Sequence, residues 1–106
     1  MKITAVIPHV VVQRLEQPFG MSQWLWDVRS SCLVEVVTDE GLIGWGECFA
    51  QAEANRALIE SVYAPLLIGR DAGEHIALWE AMYNRNREWG RKGVSIAAIS
   101  GVEIAL

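Results

Sequence analysis

The sequence predicts an α+β fold, a three-stranded antiparallel meander followed by a helical segment. Three observations carry that expectation. The first fifty residues alternate apolar with polar positions or run β-branched; Asp39-Glu40-Gly41 forms a turn between two such runs; and from about Gln51 the apolar spacing changes to threes and fours. With 106 residues, 52% hydrophobic and 21% charged, the chain is one domain or part of one.

Ile3, Ala5 and Ile7 alternate, and Val10 and Val12 resume the alternation one step out of phase after Pro8, predicting an edge strand that is irregular at the proline. The stretch PFGMSQWLWD (residues 18–27) reads as a loop because Pro18 and Gly20 interrupt any regular pattern. It nevertheless carries Phe19, Met21, Trp24, Leu25 and Trp26, an unusual apolar mass for an exposed connection. Residues 31–38 (SCLVEVVT) and 42–47 (LIGWGE) read as the second and third strands. With Gly41 in the left-handed position, Thr38 faces Leu42, Cys32 faces Cys48, and Gly44 and Gly46 face Val36 and Val34. The glycines keep that face low, so a helix can pack closely upon it. The two cysteines are expected as reduced core thiols.

Ala54, Leu58 and Val62 predict one face of a helix ending near Ala64, because Pro65 disfavours a helical residue before it. PLLIGR then reads as a turn with apolar contacts. Asp71 with Glu74 predicts a capping pair, and Ile76, Trp79, Met82 and Tyr83 follow at helical spacing. Gly90 and Gly93 bracket a break. The last stretch, VSIAAISGVEIAL, is apolar nearly all round and predicts a helix buried on several sides, cut before any cap or polar tail.

A net charge of −4 gives no general attraction to nucleic acid or anionic lipid, so neither partner is expected. Arg85, Arg87, Arg91 and Lys92 cluster, but Glu88 interrupts them, and they read as a solvated helix end. The N-terminus lacks a small-residue cleavage site, and no apolar run approaches a membrane span. The cysteines make neither a CxxC nor a zinc spacing, which points to a reducing, cytoplasmic setting.

No catalytic constellation can be assembled. His9 and His75 stand alone, no GxSxG surrounds a serine, and GLIGWGECF has Phe49 where a dinucleotide fingerprint needs its third glycine. Asp39 and Glu40 are turn residues, while Glu53, Glu60, Glu74 and Glu80 are spaced for helix surfaces. At the end of the third strand, Glu47 suits a structural hydrogen bond and an active-site rim equally well.

The series TDEGLIGWGE, PLLIGRDAGEHIALWEAMY and GVSIAAISGVEIAL, in that order, resembles the N-terminal capping domain of the enolase superfamily, within the mandelate racemase and muconate lactonizing enzyme family. The resemblance runs over nearly the whole chain. It implies a cap, here residues 1–92, with 93–106 an apolar helix leading towards a (β/α) barrel absent from this chain. In such enzymes the barrel holds Mg²⁺ on three carboxylates and carries the groups that remove the proton alpha to a substrate carboxylate, so no catalytic or metal-binding residue is expected here. The implied partners are a small carboxylate such as a sugar acid, the protein's own barrel and further copies in a homo-oligomer.

The resemblance also assigns the tryptophan-rich segment. Two cap loops close over the barrel mouth, here residues 17–28 and 48–52. Phe19, Met21, Ser22, Trp24, Trp26, Glu47 and Phe49 are thereby the substrate-binding candidates, with an apolar lid that excludes water. Trp24 and Trp26 point one way in an extended segment and Leu25 the other; which side meets the pocket stays open. Trp45 and Trp79 are assigned to packing. The implied reaction is first a sugar acid dehydration, with racemisation, epimerisation or cycloisomerisation as alternatives. A different class, a stand-alone interaction module using the tryptophan segment, would have to bury the final helix within three strands and two helices.

Overall fold

The computed structural model describes all 106 residues. Strands β1 (Ile3–Met21), β2 (Trp24–Thr38) and β3 (Ile43–Cys48) form one antiparallel sheet in the order β1-β2-β3. The β2–β3 register is the expected one: Cys32 opposes Cys48, Val34 opposes Gly46, and Val36 opposes Gly44. Gly41 has φ 81°, and Thr38 closes the turn by accepting the Leu42 N–H on Oγ1 at 3.2 Å.

β1 corrects the sequence reading twice. Pro8 pairs with Val34 without interruption, and the slip in phase lies between Ile3 and Ala5 instead. An edge strand has one open side, so the N–H that proline lacks is not missed there. The second correction is larger. Residues 17–28 are not a loop: β1 and β2 continue as a paired ribbon to a turn at Ser22-Gln23. A slip between Arg14 and Phe19 sets residues 15–18 against Asp27 alone, after which Phe19 pairs with Trp26 and Met21 with Trp24. Gly20 reflects a close approach rather than flexibility, since a Cβ there would lie 2.0 Å from the Trp24 carbonyl oxygen.

Helices α1 (Ala52–Leu58), α2 (Ala64–Leu67), α3 (His75–Arg85) and α4 (Val94–Ala105) cover one face of the sheet. The first does not end at Ala64. A π-helical segment, Ile59–Tyr63, joins α1 to α2, and Pro65 sits in the first turn of α2, where its missing N–H is tolerated. Ala52, Asn55, Ile59 and Tyr63 are buried, while the expected face of Ala54, Leu58 and Val62 flanks them half-buried. The Asp71–Glu74 capping pair does not form: Asp71 Oδ1 accepts from Gly73 N–H at 3.0 Å and closes its own local turn. On α3, Leu78 and Met82 are buried and Trp79 stacks on Tyr83 at 4.8 Å, but Ile76 is exposed.

The glycine face of β3 receives α4. A Cβ on Gly44 would meet the Ala105 carbonyl, and one on Gly46 would lie 2.0 Å from the Gly101 carbonyl oxygen. Ala98, Ile99, Val102 and Ala105 are buried against the sheet, Ile96 and Leu106 partly so, and Ile104 is exposed. Cys32 and Cys48 lie buried beneath α4 as free thiols.

Candidate functional site

Alternation along β2 decides which side the tryptophans take. Cys32, Val34, Val36 and Thr38 are buried beneath the helices, so every even position of β2 shares that side. Val28, Trp26 and Trp24 continue the same row beyond the end of the helices. Trp24 is 64% exposed and Trp26 38%, although both belong to a face that is closed along the rest of the strand. Their partners Met21 and Phe19 widen this apolar strip. The Phe19 and Trp26 rings are 5.8 Å apart, and the Arg29 guanidinium lies 4.8 Å from the Phe19 ring centre.

The second element is the connection from β3 to α1. The fully buried Asn55 donates from Nδ2 to the Phe49 carbonyl at 2.8 Å, which holds the connection against the first turn of α1. Ala50 adopts φ 70°, a left-handed conformation uncommon for a residue with a Cβ. Held this way, the backbone leaves Phe49 pointing into open space at 84% exposure. Sequence reasoning did not single out Asn55; an amide three residues into an amphipathic helix is its only signal.

The seven candidate residues do not form one contact shell. Phe19, Met21, Trp24 and Trp26 share the strip, with Ser22 in the turn at its tip. Phe49 follows Cys48, which pairs with Cys32, and Trp26 lies six residues further along β2, a separation of about 20 Å at the usual rise of a strand. Nearer to Phe49 on that side of the ribbon are Ser30 and Val28. Glu47 takes the opposite face of the sheet, where Oε1 accepts the Ser31 hydroxyl at 2.7 Å. It therefore has its structural hydrogen bond.

The far face of the sheet carries Ala5, Ile7, His9 and Val11 on β1, Leu33, Glu35 and Val37 on β2, and Ile43 and Trp45 on β3. No helix covers it. Trp45, assigned to packing from the sequence, packs on one side only: its ring lies 5.4 Å from that of His9 and it is 53% exposed.

No three His, Cys, Asp or Glu side chains come together to hold a metal ion, and the Mg²⁺ that the resemblance implies belongs to the barrel rather than to these residues. Burial pushes the Cys48 thiol up to about 12, with the neighbouring Cys32 adding to the effect, and burial raises Cys32 too. Neither is a nucleophile near neutral pH. Tyr63, also raised by burial, is structural: its hydroxyl donates to Asn86 Oδ1 at 2.9 Å. No helix is long and apolar enough to cross a membrane.

The family profile described as "Mandelate racemase / muconate lactonizing enzyme, N-terminal domain" matches residues 2–106. D-galactarolactone cycloisomerase of Agrobacterium fabrum is 42% identical over 106 residues, all of this chain and 28% of that protein. Arabinonate dehydratase of Saccharolobus solfataricus is 39% identical over 74 residues, 68% of this chain and 20% of that protein. The crystal structure of 3,6-anhydro-D-galactonate cycloisomerase from Zobellia galactanivorans superposes with a TM-score of 0.86 at 33% identity, covering 99% of this chain and 27% of that one. The chain thus spans between a fifth and rather more than a quarter of the length of these relatives. It belongs to the mandelate racemase and muconate lactonizing enzyme family, as the N-terminal capping domain.

Proposed function

We propose that this capping domain serves a longer, Mg²⁺-dependent enzyme that abstracts the proton alpha to the carboxylate of a sugar acid or its lactone. Residues 17–28 form its lid, and residues 48–52 form the wall nearer the sheet. The observation that carries this reading is the aromatic strip on the helix side of the β1–β2 ribbon. It continues a buried row, yet nothing in the chain covers it. Such a strip closing over a barrel mouth excludes water and strengthens the charge interactions beneath it. The remaining polypeptide would supply the acid/base groups and the metal ligands, and Mg²⁺ held there would supply positive charge beside the substrate carboxylate. Residues 1–92 act as the cap and 93–106 as the helix that leads out of it.

Dehydration of a sugar acid and cycloisomerisation of its lactone both begin with that proton. The sequence alone favours dehydration, and the identity with a cycloisomerase along the whole chain puts cycloisomerisation beside it. Trp26 lies about 20 Å along β2 from Cys32, the residue paired with Cys48 beside Phe49, so the strip and Phe49 form separate parts of the wall. The protein works in a reducing compartment and as a homo-oligomer.

The test uses the full-length protein with Mg²⁺, offered D-galactarolactone and a panel of aldonic acids. Loss of water to a 2-keto acid identifies the dehydratase; a product of unchanged mass with altered ring connectivity identifies the cycloisomerase, and one with only inverted configuration a racemase or epimerase. Turnover of neither class would sink the reading. So would Trp26→Ala and Phe49→Ala variants that both keep the full wild-type profile across all substrates.

A further inference from the structure

Two local costs fall on the short connection between β3 and α1. Ala50 is the only residue with a side chain that holds a positive φ, 70°, where a Cβ is strained. Asn55 is wholly buried, yet only one end of its amide is used: Nδ2 donates to the Phe49 carbonyl at 2.8 Å, and no donor in the chain reaches Oδ1. A buried acceptor left this way carries its full desolvation penalty, which an aliphatic side chain at the same place on the helix would not. The amide does not cap the helix either. α1 begins at Gln51 without a side-chain hydrogen bond, and the Asn55 N–H is bonded to the Gln51 carbonyl at 3.0 Å.

The two costs belong to one device. Cys48 and Ala52 are buried and anchor the ends of the connection, while residues 49–51 between them are exposed. The carbonyl tied by Asn55 belongs to the peptide plane between Phe49 and Ala50, and rotation of that rigid plane is what would relax the Ala50 φ. A single hydrogen bond from the core thus holds the strained turn and the direction in which the Phe49 side chain leaves the backbone.

We propose that Asn55 is a positioning residue: through the Phe49 carbonyl it sets where the Phe49 ring stands in the wall, and so takes part in substrate binding without touching the substrate. The inference rests on the reading of residues 48–52 as that wall. Strained backbone and unpaired buried polar atoms persist where the surrounding structure enforces a particular geometry, and here both serve the same peptide plane. A wall fixed before the substrate arrives loses little freedom on contact, so the tether strengthens binding.

The experiment uses the full-length protein with Mg²⁺. Asn55→Leu removes the donor and the unpaired acceptor together, and Asn55→Ala, which keeps the helix, is the second variant should leucine not fit. Three quantities are measured: melting temperature, steady-state kinetics on the substrates the wild type turns over, and chymotrypsin cleavage after Phe49, read as the 1–49 fragment by mass. That cut falls on the carbonyl Asn55 ties, so its rate reports the tether independently of activity. The expected result is a retained melting transition, cleavage about tenfold faster than in the wild type, and KM raised about tenfold at similar kcat. Phe49→Ala combined with Asn55→Leu should add less than about twofold to the loss of kcat/KM, because the two residues act through each other. Cleavage at the wild-type rate overturns the proposal, as do fully additive losses. A lowered melting temperature with KM unchanged makes Asn55 merely structural and overturns it too. If the wild type is active and Asn55→Leu keeps its kinetics, this proposal falls and the enzyme reading stands. A wild type that turns over neither substrate class brings down both.

Discussion

The base of the sheet and the arm that grows from it are made of the same two strands and follow the same alternation, yet they meet opposite fates. At the base, even positions of β2 from Cys32 to Thr38 are closed beneath α1 and α4, and glycines on β3 let α4 approach to backbone contact. In the arm the same row continues as Val28, Trp26 and Trp24 with larger apolar side chains and no helix above them. An isolated two-stranded ribbon is marginal in water. The contrast teaches that the base is stabilised by what the chain contains, whereas the same row in the arm is left uncovered by it.

The comparison breaks first at the base. Gly46→Ala forces a Cβ against the Gly101 carbonyl, so either α4 lifts or the strand bends. A loss of about 3 kcal/mol, at the upper end for overpacking, is expected as a lowered denaturation midpoint of the full-length protein. If the midpoint holds, α4 does not sit on the glycine face.

Tyr63→Phe acts through hydrogen bonding at the same base. It removes the donor to Asn86 Oδ1, which keeps only the Trp89 Nε1 donor at 3.2 Å. Chemical denaturation should show a loss of about 1.5 kcal/mol.

In the arm the order of effects reverses. Trp26→Ala should change unfolding free energy by under about 0.5 kcal/mol, as at an ordinary surface position. It should lower kcat/KM about tenfold, equivalent to about 1.4 kcal/mol of transition-state binding. A stability loss like that of Gly46→Ala, with kinetics intact, would make the arm structural and erase the contrast.

The smallest effect concerns the thiols. Cys48 is an acid whose folded pKa, about 12, stands above its ordinary value of 9.0. The folded state therefore holds the proton more tightly, and the stabilisation is fully present below pH 9 and lost as pH rises towards 12. Through this linkage the melting temperature should not vary with pH between 6 and 8 in either the wild type or Cys48→Ala, and above pH 9 the wild type should lose stability more steeply than the variant. Native-state alkylation at pH 8 should leave both cysteines unmodified.

Much of the fold was legible. The turn at Gly41 set the register of β2 and β3, because a two-residue period allows no slip without turning every side chain over. The order of three motifs in the chain pointed to the capping domain. The arm was misread for a physical reason: Pro18 and Gly20 are loop signals to any local rule, but Pro18 lies in an irregularity on an edge strand and Gly20 where two backbones nearly touch. The helix past Ala64 was misread because a π-helical turn places Pro65 in the first turn of a new helical segment. Asn55 was missed because its role depends on a carbonyl six residues earlier, which no periodicity reports.

By itself, the sequence determined the strand pairing at the base, the glycine face and the free thiols, since each follows from residue type and spacing along the chain. Only the tertiary structure decided that the tryptophan segment is a ribbon, that its aromatic strip lies on the helix side, that Glu47 and Trp45 lie on the other side, and that Phe49 and Trp26 are held far apart. Those facts depend on which face of the sheet the helices cover, and that choice is made by packing between distant segments rather than by any local pattern.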